Sequence, residues 1–265
     1  IKFCDEMGLE YKLDFPDSDW LNRDAVEVCL FTREPIYDIY KFKSLSKSML
    51  AKNESAKLRL SSRIIDAKFD ETTGQKILTI SNKGHESKEA FDYVVNATYA
   101  SQNLLKNWLG FPALEIEFRL KEVPIVRLPT HLRQAVTIMD GPFVTIVPIG
   151  NTGLYTFGDV ARSIIETKFS TGGIPWSQDY IKSRPSRFEE MKAANPYYIP
   201  ITSQAEYVES MFAVLPILPN SNETDTRLTA VTNHGRGCWS VFEGKIVTAV
   251  AAAREVADQI RKIKV

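Results

Sequence analysis

The most suggestive chemistry in this sequence of 265 residues lies near its C-terminal end, in Asn233-His234-Gly235-Arg236-Gly237. Two glycines around an arginine let main chain approach a ligand closely, and a helix beginning just beyond them points its positive end toward the same region. An anion or an electron-rich ring suits such a place. The plainer reading is a tight turn after a strand, since glycine and asparagine are common turn formers. His234 is either a base beside a bound group or a hydrogen-bonded turn residue. Trp239 and Phe242 either cover that group or fill core.

A second candidate is the strand end at Val94-Val95-Asn96-Ala97-Thr98. A near-continuous apolar run over residues 91–98 predicts a central parallel strand covered on both faces, and open α/β sheets bind ligands at the carboxyl ends of their strands. The competing reading is an ordinary buried strand running into a loop. Asp66, Asp92 and Asp159 show no acid–base spacing, and neither a Ser-His-Asp order nor a nucleophile elbow is visible. His85, His131 and His234 are too scattered for a metal site, and Cys4, Cys29 and Cys238 form no CxxC pair.

The elements that must position these residues follow from the pattern. Residues 26–31 predict a strand broken at Glu34-Pro35, and residues 36–50 a helix. Residues 57–60, 64–69 and 76–80 predict short strands, the last two joined by a turn over 70–74. Residues 104–122 are mixed. Strands are expected over 123–128, 143–147 and 154–157, with a hairpin turn at 150–153, and a helix over 187–194 that stops at Asn195-Pro196. Residues 207–215 fit strand and helix equally. Strand 227–232, turn 233–237 and helix 245–263 close the chain, with Ile246, Val250, Ala253, Ala257 and Ile260 as the apolar face of that helix.

Composition narrows the function classes. Lys plus Arg and Asp plus Glu both number 33, so net charge gives no reason to expect nucleic acid or an anionic membrane surface. With 44% hydrophobic and 25% charged residues the chain reads as globular, with no stretch resembling a membrane span. The three cysteines fit a reducing cytoplasm. Nothing in the sequence sets an oligomeric state.

Taken in order, residues 25–265 resemble the D-amino-acid-oxidase-like family of FAD-dependent oxidoreductases, which includes glycine oxidase and sarcosine oxidase. The resemblance rests on Glu34-Pro35-Ile36-Tyr37-Asp38 before a helix, the strand pair over 58–70, FDYVVNATYA over 91–100, GPFVTIVPIGNTGLYTFGDVARS over 141–163, and NHGRGCWSVFEGK over 233–245. It implies a mixed α/β fold in which a partial Rossmann-like FAD-binding domain interleaves with an antiparallel-sheet substrate domain. The boundaries it implies are a substrate-domain segment at 1–34, a partial FAD-binding domain at 35–105, substrate domain at 106–220, and an FAD-binding strand-turn-helix at 221–265. It further implies cofactor contact by Ile64 or Ile65 at the adenine, by Ala97, Thr98 and Tyr99 at the strand end, and by Arg236, Gly237, Cys238, Trp239 and Ser240 at the turn.

The sequence departs from the family in three places. The GxGxxG loop that cradles pyrophosphate and its acidic ribose partner are not in these residues, so a strand followed by GxGxxG is expected upstream of Ile1. Tyr99 stands where the family usually has glycine. Ile149 follows Val147-Pro148 where amino-acid oxidases often carry an arginine. Arg127, Arg162 and His234 are then the candidates to hold an anionic small-molecule substrate, and no catalytic residue is assigned. The function implied is oxidation of a C–H bond next to an amine or hydroxyl; the alternative is a non-catalytic binding or assembly protein of the same fold. A covalent flavin link through Cys238 is not expected.

Overall fold

A computed structural model describes residues 1–130, 133–139, 141–218, 229–242 and 245–263. In chain order its elements are α1 (Lys2–Glu6), β1 (Tyr11–Leu13), β2 (Leu30–Thr32), α2 (Ile39–Ala51), β3 (Ser62–Phe69), β4 (Lys76–Asn82), β5 (His85–Phe91), β6 (Val94–Asn96), α3 (Gln102–Trp108), β7 (Ile116–Arg127), β8 (Val136–Thr137), β9 (Val144–Pro148), β10 (Leu154–Asp159), α4 (Val160–Ser163), β11 (Ile164–Ser170), α5 (Gln178–Lys182), α6 (Phe188–Ala194), β12 (Glu206–Ile217), β13 (Ala230–Gly235), β14 (Cys238–Phe242) and α7 (Ala249–Ile263). This is a mixed α/β chain rich in antiparallel pairing. None of the described helices is long and apolar enough to cross a membrane. His131, the boundary at 220/221 and the first residues of the strand expected over 227–232 lie outside the described residues.

The chain folds as two compact units, each of three separated segments: Ile1–Lys57, Lys121–Ile165 and Ile181–Ala213 in the first, Leu58–Leu120, Glu166–Tyr180 and Val214–Val265 in the second. In the first unit β8, β9, β10 and the C-terminal half of β7 pair antiparallel, with Val136 opposite Ile146, Thr156 opposite Val147, and Thr156 opposite Ile125. Val144 and Ile146 alternate toward a core that also holds Trp20, Val126, Phe157, Phe188 and Met191. That alternation is the period-2 signature of a sheet with one buried face. The turn at Ile149-Gly150-Asn151-Thr152-Gly153 uses left-handed backbone at Gly150 (φ 50°) and Gly153 (φ 75°). A side chain at Gly150 would meet the Asp38 carboxylate at 2.6 Å. That carboxylate caps α2, its Oδ1 accepting from the main-chain N–H groups of Tyr40 and Lys41.

The second unit has two three-stranded sheets, ordered β3-β4-β5 and β13-β14-β6. The β3–β4 hairpin closes where Asp70 Oδ1 accepts from Thr72 N–H at 2.9 Å and Gly74 turns left-handed. One core joins Ala67, Leu78 and Ile80 of this hairpin to Val94, Leu105, Leu109 and Cys238; another joins Trp239 and Val241 to Ala252 and Val256 of α7.

Several sequence expectations change here. Residues 91–98 are not one central strand: Phe91 ends β5, and β6 is a short strand at one edge of its sheet among the described residues, parallel to β14. Lys76 Nζ holds the Asp92 carbonyl at 2.5 Å and breaks the run there. The chain after the glycine turn continues as strand β14, not helix, because the small and apolar residues 238–242 are all buried and pair with β13 and β6. The helix begins only at Ala249, so its positive end does not follow the turn directly. Its packed face is Ala252, Val256 and Ile260, while Val250 is 61% exposed. Residues 57–60 form no strand, and residues 207–215 lie within β12.

Candidate functional site

Within the second unit β6 and β14 run parallel with Val94 opposite Cys238 and Asn96 opposite Ser240, which sets the glycine turn beside Asp92 and Tyr93 at the start of β6 and leaves residues 97–99 at the other end of the pair. Beyond β6 the side chains split. Asn96 is buried, its amide donating to the Gln102 carbonyl at 2.8 Å while its Oδ1 accepts from the Thr98 hydroxyl at 2.7 Å. Ala97, Thr98 and Tyr99 are exposed, and Tyr99 adopts φ 54°. A non-glycine residue in left-handed backbone carries a cost of order 1–3 kcal/mol, so the chain holds a glycine-like bend here with a large side chain.

The turn itself is left-handed at Gly235, Arg236 and Gly237, with φ 75°, 52° and 73°. The two glycines differ in purpose. A Cβ on Gly237 would sit 2.6 Å from the Asp92 carbonyl and 2.7 Å from Lys76 Nζ, so this glycine admits the protein's own chain. Gly235 has nothing within 4 Å of its missing side chain, leaving that face of the turn open. Arg236 lays its guanidinium 3.6 Å from the centre of the Phe69 ring and donates to Glu71 at 2.7 Å.

The three residues that follow point inward. Cys238, Trp239 and Ser240 are buried, and Trp239 Nε1–H donates to Gln259 at 2.9 Å. Burial pushes the Cys238 thiol pKa up, which keeps it protonated and unreactive. His234 stacks on Phe111 with ring centres 4.7 Å apart, and its Nε2 pairs with the Ser240 hydroxyl at 2.8 Å. Burial, and then the positive charge of Lys106, push the His234 pKa below its usual value, so the ring is neutral near pH 7.

In the other unit, Arg162 donates to Asp159 both through its main-chain N–H and through Nη1, at 3.2 and 2.9 Å. Arg127 is exposed, 4.0 Å from Glu206. Ile64 pairs with Ile80, and the register slips between Ile64 and Asp66, so the Ile65 peptide bulges out of the β3–β4 ladder. Sequence reasoning passed over Gln102, and also Lys106 and Phe111, which fall in the stretch read as mixed. A buried lysine in a short helix carries the same letters as an exposed one. No cluster of His, Cys, Asp or Glu among the described residues could hold a metal ion.

Solved structures share this fold. Glycine oxidase from Geobacillus kaustophilus aligns over 98% of this chain and 65% of its own, at 17% identity and a TM-score of 0.66. L-proline dehydrogenase from P. horikoshii aligns over 98% of this chain and 67% of its own, at 16% identity and a TM-score of 0.69. The chain carries a partial glycine-oxidase-like fold. NikD, an amino acid oxidase of nikkomycin biosynthesis, matches it over 97% at 11% identity and a TM-score of 0.65. The chain therefore spans about two thirds of the length of these proteins. No protein-family model matches the sequence, and no curated protein does.

The residues of this glycine-oxidase-like fold fit a flavin nucleotide in some places and not in others. The exposed end of β6, the open face at Gly235 and the bulged Ile65 peptide offer main chain that a bound group can reach. The side chains of Cys238, Trp239 and Ser240 do not, because the core uses them.

Proposed function

We propose that this chain is the larger part of an FAD-dependent oxidoreductase that oxidises a C–H bond next to an amine or hydroxyl of a small molecule. The observation that carries the reading is the likeness of nearly the whole chain to glycine oxidase and L-proline dehydrogenase structures. FAD, when bound, accepts the hydride at its N5 position; the protein supplies placement.

On this reading the second unit is the remainder of the nucleotide-binding domain and the sheet of the first unit is the substrate domain. Ile64 and Ile65 present main chain to the adenine, the Ile65 bulge freeing one peptide for it. Ala97, Thr98 and Tyr99 run beside the cofactor, and the Tyr99 ring narrows the approach. At the turn, Arg236 offers main chain to the ring beside the open face of Gly235, whose own N–H donates to Asn233, while Gly237, Cys238, Trp239 and Ser240 hold the turn in shape from behind. His234, turned inward onto Phe111, is withdrawn from the substrate role. Arg162 is committed to Asp159 with 34% of its side chain exposed, leaving Arg127 as the freer cation for a substrate anion.

The test is anaerobic mixing of the flavin-loaded protein with amines, amino acids and hydroxy acids. Bleaching of the flavin bands by one class identifies the substrate class. The engagement of Arg162 with Asp159 favours a second reading, a non-catalytic binding protein of this fold. A flavin-loaded protein that no such compound bleaches supports it.

A further inference from the structure

The second unit holds two buried lysines that differ in how their charge is met. Lys76 is 2% exposed and its ammonium donates to the carbonyls of Asp92 and Gly74, at 2.5 and 3.4 Å. Lys106 is 3% exposed and has neither a hydrogen-bond acceptor nor a carboxylate partner for its ammonium among the described residues. A buried cation without an acceptor is costly, commonly by several kcal/mol, so proteins pair such groups. One turn earlier on the same helix, Gln102 is fully buried with neither amide atom bonded. This region of α3 contains buried polar groups without a partner among the described residues.

Lys106 lines a small cleft with Asn96, Phe111, His234, Cys238 and Ser240 among its other walls. No carboxylate lines it. The cleft encloses about 180 Å³ of empty space, part of it open to solvent, and its enclosed portion has room for about one particle of water size. A monatomic anion needs less of this enclosed space than sulfate, phosphate or a carboxylate does. Asn96 is committed to Gln102 and Thr98, and the Lys106 ammonium and the Ser240 hydroxyl are donors suited to an anion. With the proton on Nε2, His234 donates to the Ser240 oxygen, and the Ser240 hydroxyl hydrogen is left free to point into the cleft beside Lys106.

We propose that this cleft is a halide site, in which the Lys106 ammonium and the Ser240 hydroxyl hold one chloride ion. The ion supplies the negative charge that the cleft walls lack, and it ties α3 to β14 through Lys106 and Ser240. A water molecule fits the same space but leaves the ammonium charge uncompensated. Burial lowers the pKa of Lys106 itself, as expected of an ammonium with no anion beside it among the described residues. This site is independent of whether the protein binds flavin.

The experiment is thermal unfolding of the full chain in sodium chloride and in sodium gluconate at matched ionic strength. A midpoint that rises with chloride to a plateau is expected, with bromide acting like chloride, and with gluconate and sulfate giving no such rise. Lys106→Met should abolish the halide-dependent rise, and Ser240→Ala should weaken it. Because a core variant can fail to fold, the line width of 35Cl in NMR is measured on the unaltered protein as well. Broadening that bromide reverses and sulfate does not supports the site. Equal midpoints in chloride and gluconate, a 35Cl line no broader than with an unrelated protein of similar size, or a Lys106→Met protein that keeps the chloride response overturns it.

Discussion

In the first unit Asp159 and Glu122 are fully buried, and each accepts from three donors of that unit; in the second, Gln102 is equally buried with both amide atoms unbonded, and Lys106 has no partner among the described residues. Asp159 takes the Arg162 main-chain N–H, the Arg162 guanidinium and the Asn195 amide. Glu122 takes the hydroxyls of Ser186 and Ser210 and the main-chain N–H of Arg187. Buried polar groups that answer one another fix a structure, whereas buried groups left unanswered mark where something else belongs. By that criterion the acidic clusters of the first unit are scaffolding. The opportunities for ligands lie around α3, the end of β6 and the turn before β14.

This comparison can be broken by mutation. Asp159→Ala should cost most, about 3–5 kcal/mol, because it strands a partly buried guanidinium and a buried amide. Glu122→Gln should cost about 1–3 kcal/mol, since the new amide hydrogens oppose donors already present. Urea denaturation measures both, and losses under 1 kcal/mol would remove the scaffolding reading.

Gly237→Ala should cost more than about 1–2 kcal/mol, the usual penalty of a left-handed alanine, because its Cβ also displaces the Asp92 carbonyl or Lys76. Gly235→Ala, with open space around it, should cost only the backbone term. Gln102→Leu should be neutral or stabilising by about 1 kcal/mol, since it removes unbonded amide atoms; a clear loss would show that Gln102 has a partner.

The smallest effect concerns pH. The His234 pKa is lowered on folding, so below about 6.5 the unfolded chain binds a proton that the folded one refuses, and stability falls as pH drops through that value. His234→Gln should flatten the decline in urea midpoint between pH 7 and 5. An unchanged slope would place the titration elsewhere.

Much of the fold was legible because its signals are local. The turn over 70–74 and the hairpin turn at 150–153 each depend on residue types within a few positions. β7 was read only over its last part, and β5 was missed, because Lys, Glu and Ser alternate along β5 as they would in a loop; its partner β4 supplies the order. The strand β14 was missed for a related reason: once a helix was expected after the glycines, the five residues before it were left without an element.

At the site, the sequence pointed to Tyr99, Gly235 and Gly237, whose backbone angles do turn out left-handed. It could not separate the glycine that faces its own chain from the one that faces open space. Nor could it show Lys106 as buried, since the cleft that it lines is shared with Val94, His234 and Ser240, which no local pattern connects to it.

The most direct check of the central claim is the visible absorption spectrum of the folded protein expressed from its complete coding sequence. Two absorption bands of oxidised flavin, released as FAD on denaturation, are the predicted result. A folded protein that is colourless and stays so after incubation with FAD contradicts the account.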